Sequence, residues 1–347
     1  MSPPKRGKVK RRRLRVLVLM ETGFNPPDDL ETLSEQERHA YKTENDVLTT
    51  LSALGHEVRP LEIKYELSPI REVLEEWKPH VVFNMIEAFF GLRELDQHVV
   101  SYLELLRVPY TGCNPRGLVL ARDKALAKKI LTYHRIPVPK FDVVHSGRRV
   151  RRSKALAFPL IVKSLTEEGS VGIAQASVVW DDAELDARVK FIHESITGDA
   201  LIEEFIDGRE IYVGVFGNKR LTVLPPWELF FENTAPGAVA IATQKVKHNL
   251  AYQVKHGISE GEADIEPAVR ARLVAVAKRI YRNLSLDGYA RLDFRLRADG
   301  TAFFIEANPN PEIASKEEFA QSALKAGMSY KKLIETIVGL GVRRGTM

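Results

Sequence analysis

Cysteine is almost missing from this sequence: Cys113 is alone among 347 residues. One thiol excludes an internal disulfide framework and a zinc cage of cysteines. It fits a reducing compartment, so a cytoplasmic location is expected. Long apolar runs are missing too. No stretch approaches the ~18 residues that cross a bilayer. The apolar segment behind the basic N-terminus, Val16 to Met20, is too short for a signal-peptide core. No membrane partner is expected. The chain also lacks internal repeats and the G-x-x-x-x-G-K-[ST] phosphate loop. His56, His98, His134, His145, His193 and His256 show no metal-ligand or catalytic-triad spacing. What is present is a globular composition, 44% hydrophobic, long enough for two or three domains.

The formal charge of +5 suggests nucleic acid, but its location argues otherwise. Residues 1–15 hold eight basic side chains and no acid, and without them 43 basic residues face 46 acidic ones, leaving −3. The excess belongs to a tail, expected to be disordered over 1–13. Such an arm binds phosphate backbones without reading bases. This one has no aromatic residue for stacking, so nucleic acid is not expected as a partner. A second basic run, residues 148–154, reads as a solvated loop or strand edge.

Leu14 to Met20 reads as a buried strand, 35–54 as a helix stopped by Gly55, then strand 57–63, helix 70–77, strand 80–86 and helix 95–107. This alternation predicts an open parallel α/β domain over 14–120. A helix capped by Asp123 follows, ended by Ile136-Pro137-Val138-Pro139. Strands are expected at 141–145, 159–163, 200–205 and 209–217, with helices at 182–194 and 266–284. The division expected is 14–120, 121–199 and 200–347.

Residues 287–308 read DGYARLDFRLRADGTAFFIEAN. Asp299-Gly300 predicts a two-residue type I′ hairpin turn. That turn puts Leu292, Phe294, Leu296, Phe303, Ile305 and Ala307 on one apolar face. On the other face it sets Asp293 opposite Glu306, and Arg291 opposite Asn308. Facing carboxylates repel, and a bound cation reverses the sign of that term. Two carboxylates and an amide are hard oxygen ligands of the kind Mg²⁺ takes alongside phosphate oxygens and water. Arg291 could hold an anion beside the metal. The alternative is a solvated face with incidental charges.

Other pieces suit a nucleotide. Lys163 ends an apolar strand and precedes the loop Thr166–Gly172, whose Gly169, Ser170 and Gly172 permit close backbone approach to phosphates. Lys124 follows a helix cap, where a surface lysine is the bland reading. In LIEEFIDGRE, the backbone from Glu203 through Glu204 to Ile206 reads as a strand edge for a flat base. Glu210 there could accept from sugar hydroxyls.

In this order the motifs VVFN (81–84), VPYTG (108–112), DKALAKKIL (123–131), IVKS…EEGSVGI (161–173), IEEFIDGREI (202–211), GYARLDFR (288–295), FIEANPNP (304–311) and AGMSY (326–330) resemble the ATP-grasp superfamily. More closely, the chain is similar to D-alanine–D-alanine ligases, from about residue 14 to 340. The resemblance implies an α/β ATP-grasp fold behind an N-terminal parallel domain, and ATP with two Mg²⁺ (Mn²⁺ as substitute) as cofactors. Lys124 and Lys163 would contact phosphates, Glu203 and Ile206 adenine, and Glu210 the ribose. Asp293, Glu306 and Asn308 would hold metal, and Ser170 would lie over the reacting groups. Lys247 would reach the γ-phosphate from an ω-like loop, with Lys245 as its alternative. The implied reaction is carboxylate activation as an acyl phosphate followed by amine attack, with Arg291 on the oxyanion.

The substrate end departs from that pattern. Glu87-Ala88 stand where the family has His-Gly, Gly169 where it has serine, and His248 where it has tyrosine. Pro311-Glu312-Ile313 replace Pro-Gly-Met, and Glu317 replaces the serine that binds the acceptor's carboxylate. A glutamate repels a carboxylate, so a carboxylate–amine pair other than two D-alanines is expected. Authentic D-alanine–D-alanine ligation is the alternative, and a non-catalytic nucleotide-binding regulator a further one. The partners expected are small-molecule substrates, with a homodimer as the assembly to test.

Overall fold

The computed structural model describes residues 13–344 except 28, 168, 197, 234–236 and 238, and excludes the side chains of residues 247, 248 and 250. The tail expected over 1–13 therefore lies almost wholly outside the described residues.

Three sheets form the molecule. The first holds β1 (Arg15–Glu21), β2 (Glu57–Ile63) and β3 (Val81–Asn84), parallel, in the order β2-β1-β3. The apolar run of β1 is buried on both faces, as a covered parallel strand requires. Leu17 and Leu19 share a core with Ile70, Val99 and Leu103. Val16, Val18 and Met20 share another with Val47 and Leu51, and with Leu333, Ile334 and Ile337 of the helix Tyr330–Arg344. The end of the chain thus returns to cover its first sheet. The helix expected over 35–54 is two helices, Glu35–Ala40 and Lys42–Ala53, separated at Tyr41. Ser34 and Glu37 form a capping box at the first.

The second sheet is antiparallel, with β4 (Phe141–Val144), β5 (Leu160–Ser164), β6 (Val178–Val179) and β7 (Ala200–Glu204) in the order β4-β7-β5-β6. Because β7 pairs with β4 and β5, this sheet extends past the boundary expected at residue 199. The expected strand edge at Glu203 is likewise an interior strand. Leu160, Val162, Ala200 and Ile202 pack on Leu185, Val189 and Ile192. That leaves Ile161, Lys163 and Glu203 on the opposite face.

The third sheet holds β8 (Arg209–Phe216), β9 (Thr222–Val223), β10 (Trp227–Phe231), β11 (Ile258–Glu262), β12 (Tyr289–Leu296) and β13 (Ala302–Pro309). Its order is β11-β10-β8-β12-β13, with β9 also on β8. The helix Pro267–Asn283 shares a core with Val213, Val215, Leu292 and Phe294.

The hairpin turn differs from the expected one. Arg297 N–H donates to Thr301 O, and the turn residue Gly300 has φ 80° while Asp299 is not left-handed. This is a three-residue loop with a left-handed glycine, not type I′. It shifts the register near the turn, pairing Phe294 with Phe304. A bulge after Asp293 shifts it back, so Asp293 faces Glu306 and Arg291 faces Asn308 as expected. The bulge also corrects the core: Phe304 is fully buried against Phe294, whereas Phe303 and Ile305 are only partly buried.

Candidate active site

A cavity lies between the second and third sheets. Lys163, Ser170, Glu203, Glu204, Ile206, Glu210 and Glu306 all line it, so most of the expected nucleotide contacts converge there. Ile161, Ile173, Ile241 and Ile305 supply apolar walls. The mixed lining suits a small-molecule cofactor.

Beneath the cavity lies a buried ion triad. Glu203 is 1% exposed, and its two carboxylate oxygens lie 2.8 Å from Lys128 Nζ and 2.8 Å from Lys163 Nζ. Burial alone would raise its pKa; the two ammonium groups outweigh burial and hold it below the usual carboxylate range. Burial pulls Lys128 down, opposed by Glu203. For Lys163, Glu203 and Glu306 outweigh burial and raise it. With its side chain spent on lysines and its backbone paired between β4 and β5, Glu203 does not present the strand edge expected for a base.

Lys128 was not foreseen from the sequence. It lies one helical turn after Lys124, on the same face, and that doubled positive charge was a readable signal. Lys124 itself is buried, not on the surface. It starts the helix Lys124–Tyr133, where Asp123 accepts from Leu126 N–H at 2.8 Å. Its Nζ donates to Glu167 O at 2.6 Å and lies 3.8 Å from Glu306. The phosphate-loop candidate is therefore tethered at its start. At its other end Arg188 donates to Gly172 O and, at 2.8 Å, to Ser177 Oγ. Between them Gly169, Ser170 and Gly172 all have positive φ (65°, 62° and 70°).

The charged face of β12 and β13 forms the second half of the site. Arg291 Nε donates to Asp293 Oδ1 at 2.8 Å and Nη2 to Oδ2 at 3.0 Å; Nη1 donates to Glu318. Asn308 Nδ2 donates to Asp293 Oδ2 at 3.0 Å. The guanidinium lies 4.7 Å from the Tyr212 ring centroid. Two residues along β12, Arg295 donates to Ile206 O (3.1 Å), Glu210 Oε2 (2.8 Å) and Ala240 O (2.9 Å). Arg295 was also missed. It shares the strand parity of Arg291 and Asp293, which was the available signal. Glu204 is held by Arg297 at 3.2 Å.

The donor chemistry fits a hard divalent cation, because two carboxylates and an amide share one face. Among the described residues no group of three or more His, Cys, Asp or Glu forms a preformed metal cage. The expected ω-like loop is helical, Gln244–His248. Lys245 there is exposed; the Lys247 and His248 side chains lie outside the described residues.

The expected substrate residues divide. Glu87 and Glu312 line a second cavity beside Asn310 and Tyr289. Glu317 does not line it. Its Oε1 lies 2.6 Å from Lys42 Nζ, which is also 2.8 Å from Glu312. Lys42, 275 residues away, is a counter-charge that sequence reasoning missed. The repulsion expected of Glu317 is thus partly neutralised.

This cavity between two antiparallel sheets, lined by Lys163 and Glu306 and bordered by the arginine–carboxylate face of β12 and β13, is that of an ATP-grasp ligase. The family model for the D-ala D-ala ligase C-terminus matches residues 130–339. The chain belongs to the D-alanine–D-alanine ligase family, which uses ATP and Mg²⁺. It is 29% identical over 307 residues to a D-alanine–D-alanine ligase of Aquifex aeolicus, covering 88% of this chain and 96% of that one. It is 34% identical over 265 residues to an uncharacterised protein, y4sG, of Sinorhizobium fredii, covering 76% and 75%. A D-alanine–D-alanine ligase of Bacillus anthracis, solved with ATP, superposes with a TM-score of 0.73 at 23% identity over 96% of this chain and 99% of that one. Among the described residues no helix is long and apolar enough to cross a membrane.

Proposed function

We propose that this ATP-dependent ligase joins a small carboxylate to an amine through an acyl phosphate. The observation that carries the reading is that Lys163 and Glu306 line one cavity, while Glu306 also lies 3.8 Å from Lys124 and pairs across the hairpin with Asp293 of the Arg291–Asp293–Asn308 cluster. Bound Mg·ATP supplies the phosphoryl group that activates the carboxylate. Asp293, Glu306 and Asn308 would hold the metal, which takes its remaining ligands from phosphate oxygens and water. Lys124 and Lys163 offset phosphate charge. The apolar walls and the backbone at Ile206, past the end of β7, receive the base, with Glu210 at the ribose. Arg291, oriented by Asp293 and Glu318, supplies donors to the oxygen that becomes negative when the amine attacks.

The names of the curated relatives favour D-alanine as both substrates. Glu87 and Glu312 in the second cavity favour a second reading, in which the amine or the amino acid is a different, more cationic compound. ADP release measured across D- and L-amino acids, dipeptides and simple amines tests both, with Lys163→Ala as the inactive control. Turnover with D-alanine alone establishes the first reading; turnover confined to other pairs establishes the second. Mg·ATP binding with no turnover for any pair would refute ligation.

A further inference from the structure

The second cavity lies where β1 and β3 end, against the helix Lys42–Ala53 and residues 310–313. Four glutamates line it, Glu21, Glu44, Glu87 and Glu312, and no lysine or arginine does among the described residues. Part of this charge is already engaged. Glu21 Oε1 accepts from the N–H groups of Glu87 (3.2 Å) and Ala88 (2.7 Å), and Glu312 meets Lys42. Glu44 shows what is left over. Burial first, then the charges of Glu87, Glu312 and Glu21, push its carboxyl up to about 7. A protein that gathers carboxylates so that one of them resists ionisation is arranged for an added positive charge.

A second feature points the same way without resting on charge. Asn84, at the end of β3, also lines this cavity and is 1% exposed. Its Oδ1 accepts from Ile86 N–H at 3.3 Å, which fixes the amide's orientation. Its Nδ2 is buried with no hydrogen-bond partner among the described residues. Buried donors are nearly always satisfied, so this N–H group is placed for an oxygen that the chain does not supply. The cavity also adjoins the reactive face. Tyr289 precedes Arg291 by two residues and Asn310 follows Asn308 by two, about 7 Å along a strand.

We propose that this cavity takes a diamino substrate, an amino acid or amide with a second ammonium group. That group sits among Glu44, Glu87 and Glu312, and an oxygen of the same molecule accepts from Asn84 Nδ2. The proposal rests on the ligase reading and names the substrate class of that reaction.

Calorimetric binding to the full chain separates the two claims. The probes are D- and L-ornithine and 1,4-diaminobutane, against D-alanine and butylamine as controls with one ammonium group each. An ornithine should bind at least about tenfold more tightly than D-alanine, and the diamine more tightly than butylamine. Added salt should narrow both gaps. Glu44→Gln should remove much of the preference, and Glu312→Gln, which releases Lys42, should reduce it as well. Equal affinity in the wild-type chain for each probe with two ammonium groups and its control with one would overturn the proposal with no variant needed. So would ADP release driven as efficiently by D-alanine as by any diamino compound, which leaves the ligase reading intact. Tight diamine binding without ADP release from any pair would retain the cavity's cation preference and defeat the ligase reading, and with it the substrate role.

Discussion

Replacing Lys128 by methionine tests the ion triad under the nucleotide cavity. The side chain is fully buried, donates to Ile305 O and lies 2.8 Å from Glu203. Methionine keeps most of its volume and removes the charge together with the donor to Ile305 O. Stripping one partner from a buried ion pair costs about 3–5 kcal/mol, because the remaining charge is left without compensation. Here Glu203 keeps Lys163 at 2.8 Å, so the low end applies, about 3 kcal/mol, more than a hundredfold in the folding equilibrium. Urea unfolding followed by circular dichroism measures the loss. Three sheets need not unfold together, so tryptophan fluorescence should be recorded in parallel to test for a single transition.

The double-mutant cycle with Glu203→Gln makes the test specific. A neutral amide no longer needs a cation, so Lys128→Met should cost clearly less in the Glu203→Gln background. A coupling of about 1–3 kcal/mol is expected. The pH dependence has a definite sign. Glu203 is held below its unfolded carboxylate value, so its stabilising contribution is present above that value and disappears as pH falls through the lowered one. The variant should therefore lose less stability on acidification than the wild type. Additive effects in the cycle, or a Lys128→Met variant within about 0.5 kcal/mol of wild type, would refute the argument that the triad is electrostatically coupled.

Gly172→Ala should weaken nucleotide binding with little change in global stability. Its φ is +70°, and a Cβ there would lie 2.9 Å from Ile196 Cδ1, so the loop must shift; ATP titration by fluorescence measures it. Asp293→Asn should lower kcat about 10²–10³-fold, because it frees Arg291 and weakens the metal face; ADP release across a Mg²⁺ titration checks whether added metal restores rate. The pH profile of kcat/KM for a cationic amine should rise through about 7 as Glu44 ionises beside Glu21, Glu87 and Glu312, with Lys42 on Glu312. In Glu44→Gln this inflection should flatten while that of the amine itself remains.

The nucleotide end was legible in the sequence because its determinants are local. Strand parity alone put Arg291, Asp293, Glu306 and Asn308 on one face, and a strand end put Lys163 next to its loop. Even so, the pairing of Asp293 with Glu306 was reached through a turn that does not exist. The three-residue loop and the later bulge each shift the register by one residue, and the two cancel before the catalytic rungs. The error survives only where nothing cancels it, in the exchange of Phe304 for Phe303 and Ile305 as core. The substrate end depends on partners far apart in the chain. Glu317 reads as a bare anion until Lys42 is seen beside it. Asn84 reads as part of a buried strand until the cavity at its end appears, and Glu44 as one residue within the helix expected over 35–54 until Glu312 is brought opposite it. Periodicity and turn chemistry say nothing about such pairs, because the residues meet only after the chain has closed its third sheet onto its first. Neighbouring residues in sequence could therefore indicate the proposed nucleotide contacts, while the charge balance proposed to select the substrate emerges only from contacts such as Thr43–Glu312 and Lys42–Glu317, made about 270 residues apart.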